Sequence, residues 1–271
     1  MANSGASRPV VVVKLGGSLL TRKREVEKAR PKVLARLAEE LAAASDRPLV
    51  LLHGAGSFGH PGARRFGLAG PPAPGASSTE RTRGAAIVSS EVRRLHLLVL
   101  RELLRAGVPA WSVPPSTHAL NRAGRSASLD LAPIERALEQ RTVPVSFGDV
   151  VPDEAWGFSV LSADTIAVEL ARQLPVGRVV FASDVPGIFT GPNRSARSIA
   201  GELTDELLAG LRPREGAADV TGGIRAKAEA MRAIALAGAD AVLISGLSDG
   251  ALLRAVRGEA VYGSWAHARA P

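Results

Sequence analysis

Residues 48–60 read PLVLLHGAGSFGH. A short apolar run, Pro48 to Leu52, enters a turn with glycines at 54, 56 and 59, bracketed by His53 and His60. The glycines spell G-x-G-x-x-G, the letters of a dinucleotide fingerprint. That fingerprint belongs after the first strand of a βαβ unit, with an acidic residue about 20 positions on, at the end of the second strand. Here the glycines follow the second apolar run of the chain. The acidic residue at that distance, Glu80, lies just beyond GPPAPGASS (70–78), a stretch too rich in Pro and Gly for regular structure. The context therefore argues against a Rossmann site. No G-x-x-x-x-G-K-[ST] sequence occurs, and H-R-D and D-F-G are absent, so neither a P-loop nor a protein-kinase site is encoded.

Two further glycine turns accompany the first: KLGGS (14–18) and TGGIRAK (221–227). Each sets glycines where the chain leaves a strand or enters a helix. Glycine permits positive φ and close approach, so backbone N–H groups can converge on an anion, and a helix N-terminus adds partial positive charge. Only five of the 34 basic residues are lysines: Lys14, Lys23, Lys28, Lys32 and Lys227. Where arginine is the default cation, a lysine inside a glycine turn supplies a compact point charge. Lys28 and Lys32 read as a solvated run.

The pattern around these turns predicts an α/β fold. VVVVKLGGSLL (10–20) is a buried strand entering a Gly-Gly turn, and 48–52 the next strand. Residues 31–44 have helical periodicity, with Val33, Leu34, Leu37 and Leu41 on one face. A long helix is expected over 83–106, strands over 108–113 and 142–147, and a hairpin between Asp149 and Leu161. Ser162 is a candidate N-cap for a helix over 162–173. A strand at 177–183, a helix at 223–237 and a strand at 240–245 follow. Short apolar strands alternating with helices imply a mostly parallel sheet covered on both faces. Residues 175–177 are the expected joint between two lobes.

Composition bounds the rest. The chain has 271 residues, 46% apolar and 22% charged, with no cysteine, which excludes disulfides, Cys-ligated zinc and a thiol nucleophile. No apolar run approaches the ~20 residues of a membrane span. The net charge of +8 is spread along the chain and aromatics are only 4%, so nucleic acid is not the expected partner.

KLGGS, HGAGSFGH, GDVVPD, SAD, SDVPG and DVTGGIRAK, in this order and spacing, resemble the amino acid kinase superfamily and, within it, the isopentenyl phosphate kinases. The resemblance runs from Val10 to about Gly246. It implies a three-layer αβα sandwich in one domain, with an acceptor lobe (1–175) and an ATP lobe (176–271). It implies ATP and Mg²⁺ as cofactors without dedicated protein ligands for the metal, a small phosphate acceptor, a homodimer and a cytoplasmic location.

Residue roles follow from the same likeness. Lys14, Gly16, Gly17 and Ser18 match the phosphate-binding first turn, and Lys23 a second lysine that reaches the transferring phosphoryl group. Gly54, Ala55 and Gly59 match the acceptor loop, with Ala55 also near ATP, and His60 the donor to the acceptor's phosphate. Asp164 matches the aspartate that orients the lysines and borders the acceptor. Asp184 and Gly187 match the nucleotide-side turn, and Gly223 and Lys227 the ATP phosphate end.

Departures from the family pattern are Gly54-Ala55-Gly56 for a triple glycine, Ser162-Ala163-Asp164 for S-G-D, Asp184-Val185-Pro186-Gly187 for D-V-D-G, and the ending YGSWAHA. They bear mainly on the acceptor, so two alternatives stay open. One is a same-fold kinase for another small anion, such as a fosfomycin-like phosphonate, an acylamino acid or a nucleotide. The other is a non-catalytic nucleotide-binding regulator. His53 is expected to fix the strand end, and Asp149 to be a turn residue near the site. His96 and His118 carry no expected role, and His267 is expected to be solvated. Ile87, Val88 and Leu95 on the long helix face either core or an apolar acceptor tail.

Overall fold

The computed structural model describes residues 9–22, 25–44, 46–190, 199–211 and 223–269. Its centre is a seven-stranded sheet built from β1 (Val10–Leu15), β2 (Leu49–His53), β3 (Ala110–Ser112), β6 (Val143–Phe147), β9 (Val176–Ser183), β10 (Asp240–Ser245) and β11 (Gly263–Ala266). The order is β11-β10-β9-β1-β2-β6-β3. Every pair is parallel except β10 with β11.

Alternation along each strand builds the three layers. Val10 and Val12, with Val50, Leu52, Val179 and Phe181, face a core completed by α6 (Ala163–Gln173) and α8 (Gly223–Leu236). Val11 and Val13, with Leu49, Leu51 and Val180, face the opposite core. That core is completed by α2 (Pro31–Ala42), α4 (Ser78–Arg105) and α9 (Ala251–Arg257). A strand buried on both faces is apolar at successive positions, which is why β1 opens on the run Val10–Val13. Its one charged residue, Lys14, lies on the α6/α8 face. His53, at the end of β2, lies on the α4 face.

A smaller sheet covers one end, in the order β5-β4-β7-β8: β4 (Ala119–Arg122), β5 (Arg125–Leu129), β7 (Asp149–Asp153) and β8 (Gly157–Leu161). Asp153 knots it together. Its carboxylate accepts from the backbone N–H of Ala123, Gly124, Ala155 and Trp156 and from Ser159 Oγ. Burial works to raise this carboxyl, but the donors prevail and hold it at about 2. The remaining elements are α1 (Gly17–Leu20), α3 (His60–Arg65), α5 (Ala132–Glu139) and α7 (Asp205–Gly210).

The expected strands and helices are present, with shifts at their ends. The long helix starts earlier than its periodicity indicates, because Ser77 caps it by accepting from Glu80 N. This S-x-x-E signal sits at the edge of the Pro/Gly stretch. Val176 and Gly177, expected to lie in a joint between lobes, are the first residues of β9, beside Val10 of β1. Asp149 is not a turn residue: it opens β7 and pairs with Leu161. The hairpin of β4 and β5, together with α5, α7, α9 and β11, has no counterpart in the sequence-based expectation.

Candidate active site

The site forms where β1, β2 and β9 end together. Beyond Leu15 the chain turns through Gly16 into α1, and beyond His53 it turns through Gly54 into a 3₁₀ turn at Gly56–Phe58. These turns pack backbone on backbone. A Cβ on Gly17 would lie 2.4 Å from Gly56 N, and a Cβ on Gly54 would lie 2.7 Å from Gly17 N. Gly56 takes φ +53°. Thr21 locks the junction, donating to Gly17 O and accepting from Ser57 N. The backbone N–H groups of Gly17, Ser18, Ala55 and Gly56 donate to no protein group among the described residues. Clustered, undirected donors at a strand–helix turn form an anion cradle.

Beside the cradle lies a buried ion cluster. Asp164, in the first turn of α6, receives Lys14 Nζ at 2.7 Å and Lys227 Nζ at 3.2 Å. Strand alternation explains the meeting, because Lys14 shares its face with the two helices that carry its partners. Ser162 caps α6 by accepting from Thr165 N, which fixes where Asp164 stands. Burial works to raise the Asp164 carboxyl, but Lys14 and then Lys227 outweigh it and hold it far below the usual carboxylate range. Burial lowers the Lys227 ammonium to about 8, with Asp164 opposing the fall and Lys14 adding to it. Two lysines on one carboxylate leave the cluster with an excess of positive charge beside the cradle. Lys227 Nζ also lies 5.0 Å from the Phe181 ring centre. Ser18 Oγ donates to Asp184 Oδ1 at 2.6 Å, tying the turn after β9 to the first glycine turn.

Most expected positions converge here. Lys14, Gly16, Gly17, Ser18, Gly54, Ala55, Asp164, Asp184 and Lys227 belong to the cradle or its ion cluster. Gly223, at φ +60°, opens the helix one turn before Lys227. Gly187 is a packing position instead, since a Cβ there would meet Ile199 and Ser264 Oγ at 2.6 and 2.7 Å. Lys23, with Thr221 and Gly222, lies outside the described residues. His60 is the first residue of α3, half-buried, one 3₁₀ turn beyond Gly56. Gly59 beside it has no room for a side chain: a Cβ would lie 2.5 Å from the Ala55 methyl and 2.9 Å from Val92.

The departures from the family pattern have definite places. The Ala55 methyl packs on the small apolar cluster of Val88, Val92, Phe147 and Val150, with Phe66 and Phe158 at its margin. Ala163 is buried in the α6 core. Val88 and Leu95 are core residues, while Ile87 is half-buried. A cavity of about 180 Å³ opens nearby, lined by Leu68, Trp156, Val160, Ser162 and Thr165 among others. A larger depression, about 510 Å³, lies on the outer β4–β5 hairpin and contains none of the lysines. We assign the site by the converging charges, not by size.

Three polar features were missed from sequence. Gly56 and Thr21 decide the junction between the turns; the second glycine of G-x-G was the available signal. Arg81 is buried and donates to the carbonyls of Gly67, Gly70, Trp156 and Phe158, clamping the segment after α3 against β8. Asp149 is buried, accepts from Ser89 Oγ and pairs with Arg93; burial raises its carboxyl despite Arg93.

A nucleotide-type anion cradle at the end of a parallel sheet, with two lysines on one aspartate, defines a small-molecule kinase site. Residues 9–245 match the amino acid kinase family, and the chain belongs to it. Within that family it is similar to isopentenyl phosphate kinases. It is 34% identical to the one from Methanothermobacter thermautotrophicus, over 94% of this chain and 98% of that protein. It is 34% identical to that of Thermoplasma acidophilum, over 82% and 85% of the two chains. An isopentenyl phosphate kinase crystal structure superposes with a TM-score of 0.82 at 32% identity, covering 94% and 99% of the chains. The T. acidophilum enzyme in its product complex gives 0.74 at 26% identity, again over 94% and 99%.

Proposed function

We propose that this chain transfers the γ-phosphoryl group of ATP to the phosphate of isopentenyl phosphate, giving ADP and isopentenyl diphosphate. The observation that carries the reading is the Lys14–Asp164–Lys227 cluster beside the glycine cradle, in a chain similar to isopentenyl phosphate kinases over nearly its whole length. Phosphoryl transfer needs in-line placement and neutralisation of charge on the moving group, with little covalent work by the protein. The Gly17, Ser18, Ala55 and Gly56 N–H groups hold phosphate oxygens. Lys14 and Lys227 supply positive charge, and Asp164 holds both ammonium groups in place. A phosphate monoester has a second pKa of about 6, so its attacking oxygen arrives ionised and needs no base. His60 donates to that phosphate, and Lys23 reaches the transferring group.

We take the lobes to divide at Pro175, with the acceptor bound by 1–175 and ATP by 176–271. Asp184 and Gly223 then border the nucleotide. The described residues contain no group of three or more acidic or histidine side chains able to cage a metal. Mg²⁺ would be carried on the nucleotide phosphates, where it would neutralise charge. ATP use makes the cytoplasm the expected location. We take the assembly to be a homodimer: Leu97 and Leu104, two turns apart on α4, are exposed apolar residues of the kind subunit contacts bury. The decisive assay is ADP release with ATP, Mg²⁺ and a panel of acceptors. Isopentenyl phosphate should be turned over. Turnover of fosfomycin, an acylamino acid or a nucleotide in its place would overturn the acceptor and leave the kinase standing.

A further inference from the structure

The last residue of β2, immediately before the cradle, is a histidine that the reaction above does not use. His53 is fully buried, and its ring stacks on Phe147 with centres 5.3 Å apart. Its Nδ1 lies 3.2 Å from Gly54 O and its Nε2 lies 3.1 Å from His96 Nδ1. His96, on α4, reaches Ser112 Oγ with Nε2 at 2.8 Å. A carbonyl oxygen can only accept, which places a proton on His53 Nδ1; with both buried rings neutral, the remaining protons follow. His53 Nδ1–H donates to Gly54 O, so His53 Nε2 is a lone pair and accepts from His96 Nδ1–H. His96 Nε2 is then a lone pair and accepts from Ser112 Oγ–H. Both imidazoles are neutral in this arrangement; a proton added at His96 Nε2 would require the Ser112 hydroxyl to turn from donor to acceptor. Burial, the first cause in each ring, lowers His53 to about 4 and His96 to about 3, in keeping with this.

The relay ends on one peptide of the cradle. In a trans peptide the C=O and N–H point in opposite directions. With Gly54 O held on the His53 ring, the Ala55 N–H points away from it. That N–H has no protein acceptor among the described residues. Gly54 N, in turn, donates to Leu15 O at 2.9 Å, which fixes the preceding peptide.

We propose that His53, held in one tautomer by His96 and Ser112, is a positioning residue for phosphoryl transfer: it sets the Gly54–Ala55 peptide with its N–H turned to the phosphate. The inference rests on the kinase reading above. A donor aimed in advance at developing charge acts on the transition state more than on binding, so its loss belongs in kcat. A ring that merely fills space would have no preference for which nitrogen carries the proton.

Two isosteres separate these roles. The amide of Asn reaches the position of Nδ1, and that of Gln the position of Nε2. His53→Asn keeps a donor for Gly54 O and should stay within a few-fold of wild-type kcat. His53→Gln lacks that donor and should lose about 10-fold or more in kcat, with both KM values little changed. Nitrogen-15 NMR of the wild-type imidazoles should report His53 as the Nδ1–H tautomer at neutral pH, a measurement that needs no variant. The Nε2–H tautomer, or a Gln variant equal to the Asn variant, would overturn the proposal. Wild-type protein that turns over no isopentenyl phosphate would sink the acceptor reading, while the tautomer would still decide the geometry of the relay.

Discussion

Asp164→Asn is the sharpest perturbation of the ion cluster, because it changes charge with almost no change of shape. In the native protein one carboxylate holds Lys14 at 2.7 Å and Lys227 at 3.2 Å, and the two lysine side chains are only 9% and 10% exposed. The amide leaves two buried ammonium groups facing each other without a counter-ion. Breaking a buried pair by removing one partner costs roughly 3–5 kcal/mol. For a chain of this size that is a fall of about 10 °C in Tm. Burial and Lys14 already lower Lys227 to about 8, with only Asp164 opposing them. Without that opposition Lys227 loses its proton at a lower pH. In wild type, kcat/KM for ATP should fall as pH rises through about 8, because the free enzyme then loses a cation that phosphate needs. In the variant that descending limb should move to lower pH. ATP should also raise the variant's Tm more than the wild type's, since its phosphates replace the missing anion. Scanning calorimetry with and without ATP, together with the pH–rate profile, reads both effects. A variant that melts like wild type, with its alkaline limb unmoved, would refute Asp164 as the counter-ion of both lysines.

Three further outcomes test the site. Lys227→Met removes a charge-assisted bond worth roughly 1.5–3 kcal/mol, so kcat/KM should fall about 10- to 150-fold; wild-type rates would remove Lys227 from the site. Gly17→Ala puts a Cβ 2.4 Å from Gly56 N, so the two turns must part, and both Tm and phosphate affinity should drop; an unchanged melting curve and ATP affinity would mean that the turns are not in contact. His60→Ala should lose about 10-fold or more with the acceptor and leave ATP affinity, measured without acceptor, unchanged. The reverse pattern would mean that HGAGSFGH cradles the nucleotide and that the lobes are exchanged.

What could be read from sequence followed from periodicity, and what could not depended on phase between elements. β1 and β9 were legible because burial on both faces gives them apolar runs, Val10–Val13 and Val179–Ala182. The β4–β5 hairpin was not: its strands ALNR and RSASL show no clean alternation. Its turn also places Ala123 at φ +50° before Gly124 at +73°, where Asn or Asp would have announced it. Lys14, Asp164 and Lys227 were legible as motif residues, and strand alternation then explains their meeting. The His53–His96 bond was hidden. It depends on the rotation of α4 against the sheet, which no local pattern fixes across 43 residues. The same is true of Arg93 with Asp149, whose burial makes a strand residue of what reads as a turn.

The electrostatics of the cluster also bear on which acceptor it can serve. A hydroxyl acceptor needs a base with a pKa near the working pH. Asp164 is the carboxylate at the heart of the site, and its two lysines hold it far below that range. Raising it enough to take a proton would mean releasing the ammonium groups that neutralise the phosphates, so the two tasks exclude each other. The Asp184 carboxylate is tied to the first glycine turn, accepting from Ser18 Oγ at 2.6 Å. An acceptor that arrives ionised avoids the conflict. Phosphate monoesters, phosphonates and carboxylates all qualify, and the polar machinery would treat them alike. Discrimination then falls to what surrounds the rest of the acceptor. Beside Gly59 the Ala55 methyl packs on the buried Val88 and Val92, with Phe66 and Phe158 at the edge of that cluster. Only its half-buried margin, Ala55, Phe66 and Phe158, leaves apolar surface for a hydrocarbon tail. A short branched chain gains about 0.8 kcal/mol for each CH₂ buried against that margin, whereas a polar group buried there without a hydrogen-bond partner is penalised, so the acceptor's tail and not its anion sets the preference.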